Sequence, residues 1–349
     1  MLEQVDYCPL LFTRVAEIKA YKHLPTPTKS AMFPVLRWRP WPNARSLDKT
    51  WERVGDAIGG GRFCLTLDAS RRDTSSNKPV DRSFSQLFSP ERAFEAYYSL
   101  ARELPFCTPV IRGAGADIPE LARQIDHLSR IDRGAAWHIE HPTTPSEELM
   151  RKVIANTDNL VIILDAGWGR DLLLREAWAL RLARRAGDID PDCEIVVAGS
   201  SFPQSFSHIA SRGETAAEER PLFSNLVRSA NAASLTYGDW GSTRPPSPPT
   251  PMRNIPRIDV PYVNQWVSFR QTGAEDYADL AQRALQDNLW PGDLRIWGTY
   301  AIEATAQRTP GSIAGPASAA AARINIHLYR QAQFGAVADL SEGDEPYVD

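Results

Sequence analysis

Eight short runs of apolar and β-branched residues recur along the chain, and the segments between them place apolar side chains three and four positions apart. The runs are YCPLLF (residues 7–12), FPVLRWRP (33–40), RFCLTLDAS (62–70), FCTPVIRG (106–113), GAAWHIEH (134–141), NLVIILDAG (159–167), CEIVVAGSSFP (193–203) and ASLTYGDWG (233–241). Between them lie segments with helical periodicity. In RVAEIKAYKHL (14–24), Val15, Ile18, Ala20 and Leu24 keep one apolar face, and SLDKTWERVGDAIGGG (46–61) offers Ser46 and Asp48 as caps and three glycines as a stop. After a polar loop, SPERAFEAYYSLARELP (89–105) predicts a helix with Ser89 at the N-cap and Pro90 in the first turn. Further helices are expected over 117–132, over 144–157 with Ser146 at its start, over 170–186, and over 218–231.

Runs such as LVIILDAG and EIVVAGSS are apolar on both faces. That is the pattern of parallel strands covered by helices, since a sheet with one wet face would alternate. Eight consecutive strand–helix units predict an α/β fold of the (β/α)8, TIM-like barrel type, with a doubly wound open sheet as the rival. The character changes after Gly241: residues 244–261 hold six prolines between Pro245 and Pro256 and read as an extended excursion. Beyond it, YVNQWVSFR (262–270) and DLRIWGTYAIEATAQ (293–307) read as two extra strands flanking a helix over 275–287, and 319–334 reads as a last helix. The expected organisation is a barrel core over 1–243, the Pro-rich excursion over 244–261, C-terminal strands and helices packed on the barrel over 262–335, and an acidic tail over 336–349.

Composition narrows the classes of function. With 43% hydrophobic and 23% charged residues, the chain can bury a core, and its 349 residues fit one large α/β domain. Its formal charge of −4 gives no global attraction for a phosphate backbone, which disfavours nucleic acid as a partner. The four cysteines (Cys8, Cys64, Cys107, Cys193) stand far apart beside apolar runs and read as buried thiols. Neither a positively charged leader nor an apolar stretch long enough to cross a bilayer is present, so a cytoplasmic protein with no membrane contact is expected.

In a barrel the functional surface is the rim at the C-terminal strand ends, which makes a polar residue trailing each apolar run a candidate. These are Arg37 and Arg39 after the second run, Asp68 after the third, Arg112 after the fourth, His138 and Glu140 in the fifth, Asp165 after the sixth, Ser200 and Ser201 after the seventh, and Asp239 and Trp240 after the eighth. His138 and Glu140 stand two apart and share a strand face, so they are the best acid/base pair. The carboxylates Asp68, Glu140, Asp165 and Asp239 suit a divalent cation or general acid–base work, whereas Arg37, Arg112 and Arg270 suit an anionic small molecule. Each has a plainer reading, as a charge paired across the rim or a satisfied core histidine. GSSFP (199–203) offers a small anion nest, with tight-turn packing as its plain alternative. The arginines of the helix over 171–186 offer a docking face for a protein, or simply a solvated surface.

The opening YCPLLFTRVAEIKAYKHL, the central GSSFP and YGDWG, and the closing RINIHLYRQAQF resemble the beta protein family, named for a protein of the T-even bacteriophages. Members usually have Lys where Arg14 stands and Gly where Ala16 stands. The resemblance implies a barrel-like α/β fold and a setting of phage–host conflict, and it draws attention to Glu17, Asp239, Trp240, Arg270 and His327. Two functions are carried forward. One is a hydrolase or phosphodiesterase acting on a phosphorylated or nucleotide-like ligand, and the other a non-catalytic ligand- or protein-binding sensor or immunity component.

Overall fold

The computed structural model describes residues 1–113, 118–230, 234–245 and 255–334. Eight parallel strands form its centre: β1 (Tyr7–Phe12), β2 (Val35–Trp38), β3 (Phe63–Leu67), β4 (Cys107–Pro109), β5 (Ala135–Glu140), β6 (Leu160–Trp168), β7 (Glu194–Ser200) and, after β8 (Arg212–Ala216), β9 (Ser234–Asp239). They are ordered β4-β3-β2-β1-β9-β7-β6-β5. The two ends of that order are joined by a parallel bridge between Val110 and Ala136 and by the Ile111 amide donating to the Ala136 carbonyl at 2.8 Å. The sheet is therefore nearly closed into a barrel, and each of the eight apolar runs supplies one of its strands.

Strand alternation sorts side chains into two layers. Cys8 and Leu10, Val35, Cys64, Val161 and Ile163, and Val196 fill the barrel interior. The other parity, including Tyr7, Leu36, Trp38, Phe63, Trp137 and Leu164, packs beneath the surrounding helices. Met1 and Val5 pack against the interior cluster, and the Leu2 amide donates to Glu194 Oε1 at the start of β7. Since Glu194 begins its strand, this end of the barrel is filled and the opposite end, where the strands finish, is left to carry chemistry.

The helices are α1 (Val15–Lys22), α2 (Thr26–Ser30), α3 (Asp48–Ile58), α4 (Pro79–Gln86), α5 (Glu95–Glu103), α6 (Ile118–Ile131), α7 (Glu147–Asn156), α8 (Glu176–Ile189), α9 (Glu219–Ser229), α10 (Tyr277–Gln286), α11 (Trp297–Ala306) and α12 (Pro316–Ala332). Gly59 ends α3 in the left-handed conformation, at φ 66°, and Ser146 caps α7 by accepting from the Leu149 amide, both as the pattern predicts.

Several local expectations are corrected. The caps proposed for α3 are not used, because Leu47 stands at its N-cap. Ser89 and Pro90 begin a turn, and α5 starts only at Glu95 because Arg92, Ala93 and Phe94 all take positive φ. The polar loop before them contains α4, and the expected helix over 170–186 is split into a 3-10 turn (Leu172–Arg175) followed by α8. DLRIWGTYAIEATAQ, expected as a strand, forms α11.

A second sheet, antiparallel and ordered β10-β11-β8, joins β10 (Arg257–Pro261) and β11 (Gln265–Arg270) to β8. The end of the Pro-rich stretch is thus a buried strand, whereas residues 246–254 and the acidic tail lie outside the described residues. One face of this sheet packs with α10, α11 and α12 through Ile258, Val260, Val267, Leu280, Ile302 and Ile326. Because β8 follows β7 and β10 follows β9, the small sheet is built from two loops of the same barrel end.

Candidate functional site at the barrel mouth

Interior parity brings Arg37, His138, Glu140 and Asp165 to the end of the barrel where the strands finish. Register pairs Glu140 with Asp165 directly and places His138 beside Ile163, so two residues of β5 and one of β6 face the same space. Arg37 reaches them from the far wall. Its Nη2 donates to Glu140 Oε1 at 2.8 Å and also to Asp165 Oδ2. Its guanidinium lies 4.4 Å from the Trp240 ring centroid and 5.4 Å from that of Phe12, so an aromatic floor supports its course across the mouth.

Asp165 is fully buried and accepts four donors. Arg37 and His138 Nε2 (3.2 Å) engage Oδ2, and Trp240 Nε1 (2.9 Å) and the Gly167 amide (2.8 Å) engage Oδ1. Burial by itself pushes its pKa up. Arg37, His138 and the Gly167 amide outweigh burial and hold the carboxyl well below the usual carboxylate range. An ionised Oδ2 only accepts, which puts a proton on His138 Nε2 and leaves Nδ1 as the nitrogen able to take another. Glu140, with 56% of its side chain exposed, is the member of the cluster open to solvent.

His138, Glu140 and Asp165 each present one possible ligand atom, all within 4.8 Å of one another, which is enough for a divalent ion. Arg37 already pairs with both carboxylates, so a cation bound there would have to displace the guanidinium.

The other sequence candidates do not join this cluster. Asp239 lies on the outer face of β9, one residue out of phase with the interior. It accepts from Tyr7 (2.5 Å), Tyr237 (2.8 Å), the Gly241 amide (2.7 Å) and His327 Nε2 (2.8 Å) of α12. Burial raises its pKa, but His327, Tyr7 and the Gly241 amide together lower it. Its neighbour Trp240 has the inward parity and touches Asp165.

Asp68 accepts from the Ser70 amide and hydroxyl and stands 3.4 Å from Arg39. Arg112 lies among the rings of Phe88, Phe94 and Tyr97 at 5.2–5.8 Å, and burial lowers its pKa. Ser200 donates to the Thr243 carbonyl. The anion nest expected at GSSFP is filled by the chain itself: the Ser201 amide and hydroxyl donate to Glu219 at 2.6 and 2.7 Å. Arg270, on β11, donates to the Ile209 carbonyl. Glu17 is buried and bonded by Arg14. The four cysteines are all buried, and burial raises their pKa values, Cys107 to about 12, so they stay protonated thiols.

Sequence reasoning missed Phe12, whose inward parity on β1 was the available signal, and it read Arg175 as part of the docking or solvated face of the helix over 171–186, whereas Arg175 holds the end of β6 by donating to the Ala166 and Trp168 carbonyls. It also missed the buried ion network of the small sheet. There Asp259 is bonded by Arg257 (2.6 and 2.9 Å), Arg323 (2.9 Å) and Ser268 (2.7 Å).

Fold and site define an α/β barrel-like protein with an arginine, histidine and carboxylate cluster at its open end. The chain belongs to the beta protein family, whose model, described as Beta protein, matches residues 7–333. A curated relative, Protein beta of Enterobacteria phage P4, is 24% identical over 345 residues, which is 95% of this chain and 94% of the relative. That relative comes from phage P4, which corrects the T-even attribution.

Proposed function

We propose that the barrel mouth binds a phosphorylated, nucleotide-like small molecule and hydrolyses a phosphate ester. The observation that carries this is the chain of contacts from Arg37 to Asp165 to His138, reinforced by Arg37 Nε, which is buried without a hydrogen-bond partner. A buried, unsatisfied guanidinium N–H beside an open mouth is a donor reserved for an incoming anion. Arg37 holds the phosphoryl oxygens. Asp165 fixes the His138 ring through Nε2, so Nδ1 faces the reacting water and takes a proton from it as the water oxygen bonds to phosphorus. The ester P–O bond breaks, and the leaving oxygen takes a proton back. Glu140, exposed at the edge, exchanges protons with solvent or, if a divalent cation is used, supplies a ligand. In this account residues 1–243 form the catalytic barrel, 262–335 a unit packed on it, and the protein acts in the cytoplasm in phage–host conflict.

A second function is favoured by one observation: Asp165 already has four donors, so its hydrogen bonding is complete before any ligand arrives. A mouth of that kind suits binding without turnover, in a sensor or immunity component with a protein partner.

The assay uses bis(4-nitrophenyl) phosphate and 4-nitrophenyl phosphate, with and without EDTA. Hydrolysis by the wild type is expected to fall by about a hundredfold or more in His138→Gln, at an unchanged melting temperature. Loss of activity with EDTA assigns a cation to the mouth. Wild-type protein that binds phosphate and hydrolyses neither ester favours the second function, and turnover unchanged in His138→Gln overturns the first.

A further inference from the structure

A second group of arginines stands beside the first on the β1–β9 side of the mouth. Arg14 stacks on the Phe12 ring at 4.5 Å, the same ring that Arg37 approaches at 5.4 Å. Thr13 ties the ends of β1 and β2 together, donating to the Arg39 carbonyl (3.1 Å) while its hydroxyl accepts from the Arg39 amide (2.9 Å), and this sets Arg39 beside Arg14. On the other flank the turn after β9 is fixed at every residue. Trp266 donates to Ser242 Oγ (2.6 Å), Thr243 Oγ1 to the Trp240 carbonyl (2.7 Å), and Ser200 to the Thr243 carbonyl (2.5 Å). Arg244 therefore leaves a hydrogen-bonded, buried turn four residues after Trp240, whose ring supports Arg37.

The charges of this group do not balance. Arg37 is matched by Asp165 and Glu140, Arg14 by Glu17, Arg39 by Asp68, and Arg257 and Arg323 by Asp259. Arg244 is only partly exposed, and among the described residues it makes neither an ion pair nor a hydrogen bond. Burial lowers its pKa, and Arg257 and Arg14 lower it further by repulsion. The stretch 246–254 contains no carboxylate in its sequence. A guanidinium withdrawn from water without a counter-ion is costly, and an anion that completes it recovers that cost.

We infer that Arg244 and Arg14, with Arg39 next to Arg14, form a second anion subsite adjoining Arg37, so that the ligand carries two linked phosphoryl groups of the diphosphate kind. The inference rests on the proposed function for the Arg37 subsite and deepens it, dividing the ligand's two charges between Arg37 and Arg244.

Calorimetric titration of the full chain with inorganic phosphate and inorganic pyrophosphate at equal pH and ionic strength separates the two claims. Wild-type protein is expected to prefer pyrophosphate by about tenfold or more. Arg244→Ala is expected to remove that preference while phosphate affinity stays the same, and Arg244→Lys, which keeps the charge, to recover part of it. Arg37→Ala is expected to weaken both anions. Phosphate binding that depends on Arg37 with no preference for pyrophosphate, or a preference that survives Arg244→Ala, overturns the second subsite and leaves the first standing. Phosphate and pyrophosphate both failing to bind the wild type overturns both.

Discussion

The buried carboxyl groups titrate in two senses, and each has a local cause. Burial would raise the Asp259 pKa, but Arg257 and Arg323 pull it down to about 2. Its contribution to stability is complete above the unfolded value of about 4 and is lost as pH falls through about 2. Glu219 is the reverse case. Burial raises its pKa despite the Ser201 donors, so it weighs against the folded state as pH climbs past its unfolded value. Asp259→Asn leaves the buried Arg323 and the partly buried Arg257 without their anion. It is expected to lower stability at pH 7 by about 3 kcal/mol and to make the loss between pH 4 and pH 2 shallower. Urea unfolding across that range checks both, and a variant that matches the wild type in stability and in slope contradicts the assignment.

At this scale the sequence could be read only as far as parity allows. His138 and Glu140 are two apart on β5, and the structure does turn both toward Arg37. The same rule, applied to Tyr237, Gly238, Asp239 and Trp240, separates Asp239 from Trp240. Reading all strand-end charges as one set obscured that Asp239 belongs with Tyr7, Tyr237 and His327 on the outer face. The pairing of Arg37 with residues more than a hundred positions away carried no local signal at all.

Among the elements, the eight parallel strands were legible because strands covered on both sides read as continuous apolar runs. Helix α11 was not. Its residues Ile296, Trp297, Tyr300 and Ile302 favour strands, and its N-cap, Ile296, has no capping oxygen. Contacts outside the segment decide in favour of the helix: the Gly298 amide donates to Asn325 Oδ1 of α12 at 2.8 Å, and Asn325 Nδ2 donates in turn to the Ala20 carbonyl of α1. Gly298 permits this approach. A Cβ there would lie 2.6 Å from the Ala322 carbonyl and 2.7 Å from Ile326 Cγ1. Alanine usually stabilises a helix interior by about 1 kcal/mol over glycine. Here Gly298→Ala is expected to destabilise by about 1–3 kcal/mol, measured by urea denaturation, and a gain in stability would show that the two helices can move apart freely.

On the scale of the whole molecule, a chain with a formal charge of −4 concentrates arginines at one end of its barrel while Met1, Leu2, Val5 and Glu194 fill the other. Helix α12 joins the parts, meeting the outer face of β9 through His327, β10 through Arg323, and α1 through Asn325. Among the described residues no helix is long and apolar enough to cross a membrane. The barrel was legible from the sequence, whereas the small sheet was only half so, because β8 lies in what read as a loop between strand and helix and finds its partner, β11, some fifty residues on.

The central claim, that Arg37 and His138 together receive an anion at the mouth, is tested most directly by following the ring signals of the six histidines by NMR while inorganic phosphate is added. His138→Gln assigns the relevant signal. The account predicts a saturable shift concentrated on His138 that disappears in Arg37→Ala, and a His138 signal that stays still throughout the titration, or moves just as far without Arg37, contradicts it.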